Sequence, residues 1–96
     1  MPDHAYFVYI VTNKMNTVLY TGMTSDLQRR VFEHKGHFVS SFARHYNANK
    51  LIYYEVAESH NAALAREKQI KSWSRKRKED LIATMNPGWS ELYNRL

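Results

Sequence analysis

A chain of 96 residues with 44% hydrophobic and 14% aromatic side chains has the material for one core and no length for a second domain. It has no cysteine, which excludes disulfides and thiolate metal sites as sources of stability. Fourteen Lys and Arg stand against nine Asp and Glu, a net charge of +5, and half of the positive residues fall between Arg66 and Lys78. That excess suggests a polyanionic partner, with nucleic acid ahead of a membrane surface.

The first residues carry no basic segment, and their apolar run extends only from Tyr6 to Val11. The expectation is therefore a soluble, cytoplasmic protein rather than an exported or membrane-spanning one. Tyr6 to Thr12 and Val18 to Thr21 are β-branched and aromatic, and they flank Asn13 to Asn16. This predicts a hairpin with a four-residue loop. Ser25 is the expected N-cap of a first helix, with Gln28 as its capping-box partner. The helix runs to about Lys35 and stops at Gly36, expected in the left-handed conformation. Phe38 to Asn47 reads as either a short helix or an ordered loop. Leu51 to Val56 predicts a third strand. A second helix starts at Ser59 or Asn61 and ends near Ser72, and a third runs from Ser74 to about Met85. Pro87 and Gly88 then break the chain, leaving Trp89, Leu92 and Tyr93 to pack back. The ββαβαα order over residues 1–96 predicts one α+β domain, a small three-stranded antiparallel sheet flanked by helices.

If the hairpin closes between Thr12 and Thr17, Tyr9 lies opposite Tyr20 and Phe7 opposite Gly22. Two phenols then stand side by side, next to a residue without a side chain. A packed tyrosine pair is the plain alternative. In the first helix Leu27 and Val31 form an apolar stripe that His34 continues, with Arg30 beside it one turn earlier. A core histidine and a solvated arginine explain this. So does a phosphate lying over exposed backbone beside a guanidinium. In the second helix Glu67 falls inside the arc of Ala63, Leu64 and Ile70. A carboxylate facing a core needs a partner, whether Arg30, a lysine such as Lys71 at the arc's edge, or a metal ion, unless the arc is shallow enough to let it reach water. Arg75, Lys76, Arg77 and Lys78 form a basic run that is either a solvated face or a set of phosphate contacts.

Phe7 to Val11, then Tyr20-Thr21-Gly22, then Thr24, Leu27, Arg30 and His34 resemble the GIY-YIG nuclease superfamily. With Glu67 inside Ala65 to Trp73, the order is that of its small stand-alone members, relatives of the excision-repair nuclease's N-terminal domain. The resemblance implies a metal-dependent endonuclease that hydrolyses phosphodiester bonds in DNA, with RNA as the other candidate and repair or recombination as its setting. It implies catalytic roles for Tyr9, Tyr20, Arg30, His34 and Glu67, and a close phosphate approach at Gly22. One Mg²⁺ or Mn²⁺ would be held by Glu67 and waters. Tyr20 is the expected general base, supported by Tyr9 and His34, although the resemblance leaves the choice among the three open. A late asparagine in such enzymes anchors the site, and Asn86 is the candidate here. The first motif lacks its usual glycine, reading Phe-Val-Tyr, and Thr21 replaces an apolar residue in the second. The competing expectation is a nucleic-acid-binding module that keeps the fold without turnover. A protein-binding domain is a third.

Overall fold

The structure is a computed structural model that describes residues 5–36 and 41–96. The chain forms β1 (Tyr6–Thr12), β2 (Leu19–Thr24), α1 (Leu27–Lys35), α2 (Ser41–His45), β3 (Lys50–Ala57), α3 (His60–Lys71) and α4 (Arg75–Ala83), then a 3₁₀ turn, Tyr93–Arg95. The three-stranded sheet is antiparallel, as the sequence predicts, and its strand order is β2-β1-β3. Among the described residues no helix is long and apolar enough to cross a membrane.

The central strand explains the layering. Phe7 to Val11 are all buried, and alternate side chains go to opposite faces. Val8 and Ile10 meet Ile52, Ala63, Ile70 and Ile82, which brings α3 and α4 onto one face. Phe7, Tyr9 and Val11 meet Leu27, Val31, Leu51 and Leu92, which brings α1 and the C-terminal segment onto the other. Of the expected tail contacts, Leu92 and Tyr93 join this second layer, and Trp89 packs on the first.

The hairpin register differs from the expected one. Tyr9 pairs with Gly22 and Val11 with Tyr20, a slip of two residues. The cause is the loop. The Asn13 carboxamide accepts from Thr17 N at 2.7 Å and donates to the Thr17 hydroxyl at 2.6 Å, while Asn16 takes φ 58°. An asparagine side chain that mimics a backbone turn lengthens the connection through Val18. An even slip preserves facing, so Tyr9 and Tyr20 still share a side of the sheet.

Helix ends show two further differences. Asp26, not Ser25, caps α1, its carboxylate accepting from Arg29 N at 3.1 Å. The Thr24 hydroxyl braces this turn by accepting from Asp26 N at 3.1 Å. Gly36 ends the helix as expected but at φ −88°, outside the left-handed region, with its N–H bonded to Phe32 O at 3.0 Å. Ser59 and Ser74 cap α3 and α4 as expected, and α4 stops at Ala83, short of Met85. Of the stretch read as helix or loop, Phe38 to Ser40 lie outside the described residues, and the helix α2 follows from Ser41.

Where β3 bulges against Ile10 and Val11, the C-terminal segment takes up the backbone groups left over. Asn86 Nδ2 donates to Ile52 O at 3.0 Å and to Ser90 O at 2.8 Å, and its Oδ1 accepts from Ser90 N at 3.0 Å. Glu91 accepts from Leu51 N at 2.8 Å, and Leu92 N donates to Leu51 O at 2.8 Å. Lys35 at the end of α1 reaches the same carboxylate and donates to Asn49 O at 2.9 Å.

Candidate active site

Tyr9 occupies the centre. Its hydroxyl lies 3.0 Å from His34 Nε2, and both residues are 2% exposed. The register that places Gly22 opposite Tyr9 gives the glycine its reason. A β-carbon there would fall 2.5 Å from the Tyr9 hydroxyl oxygen and 2.6 Å from Cζ. The phenol lies over bare backbone, and only glycine leaves room for it. Tyr20, diagonal to Tyr9, turns its ring toward the same histidine with ring centres 5.4 Å apart at 60°.

Burial fixes the protonation of this pair. It pushes the His34 imidazole down from its ordinary value to about 4, and Arg30 adds to the effect. The Ala48 backbone and Glu33 work the other way and are outweighed. His34 is thus neutral at pH 7. Its Nδ1 makes no well-formed hydrogen bond among the described residues, although the Ala48 backbone favours a proton on the ring. The Tyr9 phenol is raised well above the ordinary phenol range, first by burial and then by the neighbouring Tyr20. Arg30 opposes this, and the Glu67 and Glu33 carboxylates reinforce it. Tyr9 therefore stays protonated.

The charged groups come from two helices. On α1, Arg30 pairs with Glu33 at 3.6 Å and keeps its side chain 42% exposed. Arg29 shares that carboxylate at 3.5 Å. On α3, Glu67 has a side chain only 14% exposed, in an ion pair with Lys71 at 3.6 Å. Of the partners the sequence offered Glu67, the structure gives it the lysine. Lys71 Nζ also stands 6.0 Å from the centre of the Tyr20 ring. Helix α3 packs chiefly on β2 and β1, so its polar positions overhang the edge strand and meet the tyrosines there.

Tyr9, Tyr20, Gly22, Arg30, His34 and Glu67 are thus gathered at one sheet edge. The basic run is divided. Arg75 donates to Thr17 O at 2.9 Å and Asn16 O at 2.8 Å and pairs with Glu79. Lys76 bonds to Asp80 at 2.8 Å, and the Arg77 guanidinium lies 4.1 Å from the Trp73 ring centre. Lys78 lines a cleft beside Thr17, Val18 and Leu19. Asn86 spends its carboxamide on Ile52 and Ser90, which makes it an anchor of the C-terminal segment. Glu33 and Lys71 were not among the expected site residues. Their spacing of three and four from Arg30 and Glu67 was the available signal.

The donor set bears on which cation fits. Among the described residues no group of three or more His, Cys, Asp or Glu could hold a metal. Among the described residues Glu67 would offer a single, shielded carboxylate to a cation. That suits a hard cation that keeps most of its waters, as Mg²⁺ does, and does not suit a tetrahedral zinc site.

Comparison with known proteins identifies the family. A family model described as the GIY-YIG catalytic domain matches residues 5–80. The chain belongs to the GIY-YIG family. It is 40% identical over 81 residues to a UPF0213 protein of Haloquadratum walsbyi, covering 84% of this chain and 89% of that one. A UPF0213 protein of Natronomonas pharaonis is also 40% identical over 81 residues, covering 84% and 92%. The solution structure of a UPF0213 protein from Bacillus halodurans superimposes with a TM-score of 0.57 at 26% identity. The match covers 91% of this chain and 92% of that one. The GIY-YIG chain thus carries a nuclease-type domain in the compact form of the UPF0213 proteins.

Proposed function

We propose that this GIY-YIG chain is a metal-dependent phosphodiesterase that cuts DNA, serving repair or recombination in the reducing cytoplasm that a cysteine-free chain suits. The observation that carries the proposal is Glu67. A shielded carboxylate, paired among the described residues with Lys71, acts on the Tyr9 phenol, and Lys71 in turn stands 6.0 Å from the Tyr20 ring centre. A packing role does not call for a charge there.

The chemistry divides among the residues as follows. Tyr9 is held protonated by burial and fixed by His34, so it orients rather than accepts. Tyr20 is the phenol left to take the proton from the attacking water. It acts as its phenolate, and the Lys71 ammonium, 6.0 Å from its ring centre, offsets that charge until the proton arrives and the charge passes to the hydroxide nucleophile. The Arg30 guanidinium, partly exposed and steadied by Glu33, grips the non-bridging oxygens of the phosphate. Gly22 serves the site by seating the Tyr9 phenol in the space a side chain would fill. Glu67 and waters would hold a Mg²⁺ or Mn²⁺ ion, which when bound supplies Lewis-acid offset of charge on the leaving oxygen.

The test is cleavage of labelled single-stranded, duplex and branched DNA with matched RNA, in Mg²⁺ or Mn²⁺, with Glu67→Ala purified in parallel. The expected result is cutting of DNA by the parent and none by the variant. DNA bound but uncut by both would return the chain to a binding module. Preferential cutting of RNA would move the substrate class.

A further inference from the structure

Two clefts open at opposite ends of the edge strand β2. One, of about 250 Å³, is lined by Thr24, Ser25, Asp26, Arg29, Arg30 and Glu33. The other, of about 230 Å³, is lined by Thr17, Val18, Leu19, Arg75 and Lys78. Between them along the same edge stand Tyr20, Gly22, Glu67 and Lys71. From Leu19 to Thr24 the strand spans roughly 17 Å at about 3.4 Å per residue. B-form DNA rises about 3.4 Å per base pair along its axis, so on a duplex lying parallel to β2 the clefts are about five base pairs apart, with the reacting groups between.

The charges at these places are undercompensated. Arg29 and Arg30 share one carboxylate, Glu33, and Arg29 is 76% exposed. Lys71 is 49% exposed and has Glu67 as its carboxylate. Lys78 has no ion pair among the described residues. Its neighbours in sequence are committed elsewhere: Arg75 to Glu79 and two carbonyls, Lys76 to Asp80, Arg77 to the Trp73 ring.

We infer that a nucleic-acid strand runs along β2, its phosphates gripped by Arg29 at one end and by Lys78 at the other, with Arg30 and Lys71 beside the reacting groups between them. The scissile phosphate lies beside Tyr20. This rests on the phosphodiesterase reading above. It replaces the contiguous run at 75–78 with a track assembled from α1, α3 and α4. Contacts made to phosphates alone carry no sequence information, so a scrambled strand binds as well as the original.

The experiment measures binding of a labelled 20-base DNA and its duplex between about 50 and 200 mM KCl, in a Glu67→Gln background that prevents cutting. Arg29→Gln and Lys78→Gln are each expected to lower the slope of log affinity against log salt by about 0.7 to 0.9, so that each loses about threefold less affinity over that range. Lys76→Gln is expected to leave the slope unchanged. Unchanged slopes in Arg29→Gln and Lys78→Gln, or an equal drop in Lys76→Gln, overturn the track while the nuclease reading stands. No binding of either DNA by the Glu67→Gln protein at the lowest salt overturns both.

Discussion

On one side of β1, Val8 and Ile10 meet Ile52, Ala63, Ile70 and Ile82, none of which carries a polar side-chain atom. On the other side, one residue along the same strand, Tyr9 buries a hydroxyl against His34 at 3.0 Å and lies over Gly22. Strand periodicity lets one seven-residue segment serve two ends, since alternate side chains never compete for the same space. The aliphatic face supplies hydrophobic stabilisation. The α1 face accepts buried polar groups that cost stability, and the aliphatic face offsets them. Helix α3 joins the two. Ala63 and Ile70 face the aliphatic layer, while Glu67 and Lys71 reach round the β2 edge.

If that division holds, each face fails in its own way. Glu67→Gln should lower the single-turnover cleavage rate by at least about 10³-fold, or about 4 kcal/mol of barrier. DNA affinity and melting temperature should hold near the parent's, and an equally active variant would remove the metal-binding role. Ile82→Ala, in the opposite layer, should cost about 2–5 kcal/mol in urea unfolding, because it empties a fully buried position. Cleavage per folded molecule should be unchanged. Loss of activity without loss of stability would show that the faces are not separate.

Much of this was legible in the sequence, and the exceptions share a cause. The strands, the serine caps of α3 and α4 and the central run of β1 follow from local pattern. So does the oddity of Glu67, because helical angle alone placed a carboxylate in an apolar arc. The register did not follow, since it was decided by one side chain, Asn13, reaching Thr17. Asp26 displaced Ser25 as cap because the Thr24 hydroxyl positions its backbone. The basic run at 75–78 looked like one patch in sequence. On a helix, successive residues point about 100° apart, so Arg75, Lys76 and Arg77 met different partners, and Lys78 has no ion pair among the described residues. The role of Asn86 depends on a bulge at Ile52 that no local pattern announces.

The buried histidine gives the polar face a pH signature. Folded His34 titrates near 4, whereas an unfolded histidine titrates near 6.5. Between those values the unfolded chain binds the proton and the folded one does not. This contribution is therefore fully present above about pH 6.5 and is lost as the pH falls toward 4, up to on the order of 3 kcal/mol. Urea midpoints at pH 7 and pH 4.5 should differ in that direction. His34→Gln should shrink the difference while Ile82→Ala leaves it intact. A difference unaffected by His34→Gln would place the acid sensitivity elsewhere.

The smallest change tests the contact between the faces' two chemistries. Gly22→Ala adds one methyl group, 2.5 Å from the Tyr9 hydroxyl oxygen. A free phenol could swing aside at little cost. Tyr9 is 2% exposed and bonded to His34, so relief requires breaking that bond or spreading β1 from β2. Overpacking of this kind costs about 1–3 kcal/mol. Because the displaced group is the orienting tyrosine, cleavage should fall by more than the fraction unfolded explains, measured well below the melting transition. Adding Tyr9→Phe removes the hydroxyl that meets the new methyl. In that background Gly22→Ala should cost less stability than it does alone, a coupling that a double-mutant cycle reads directly. Additive effects would mean the strands part without disturbing the phenol.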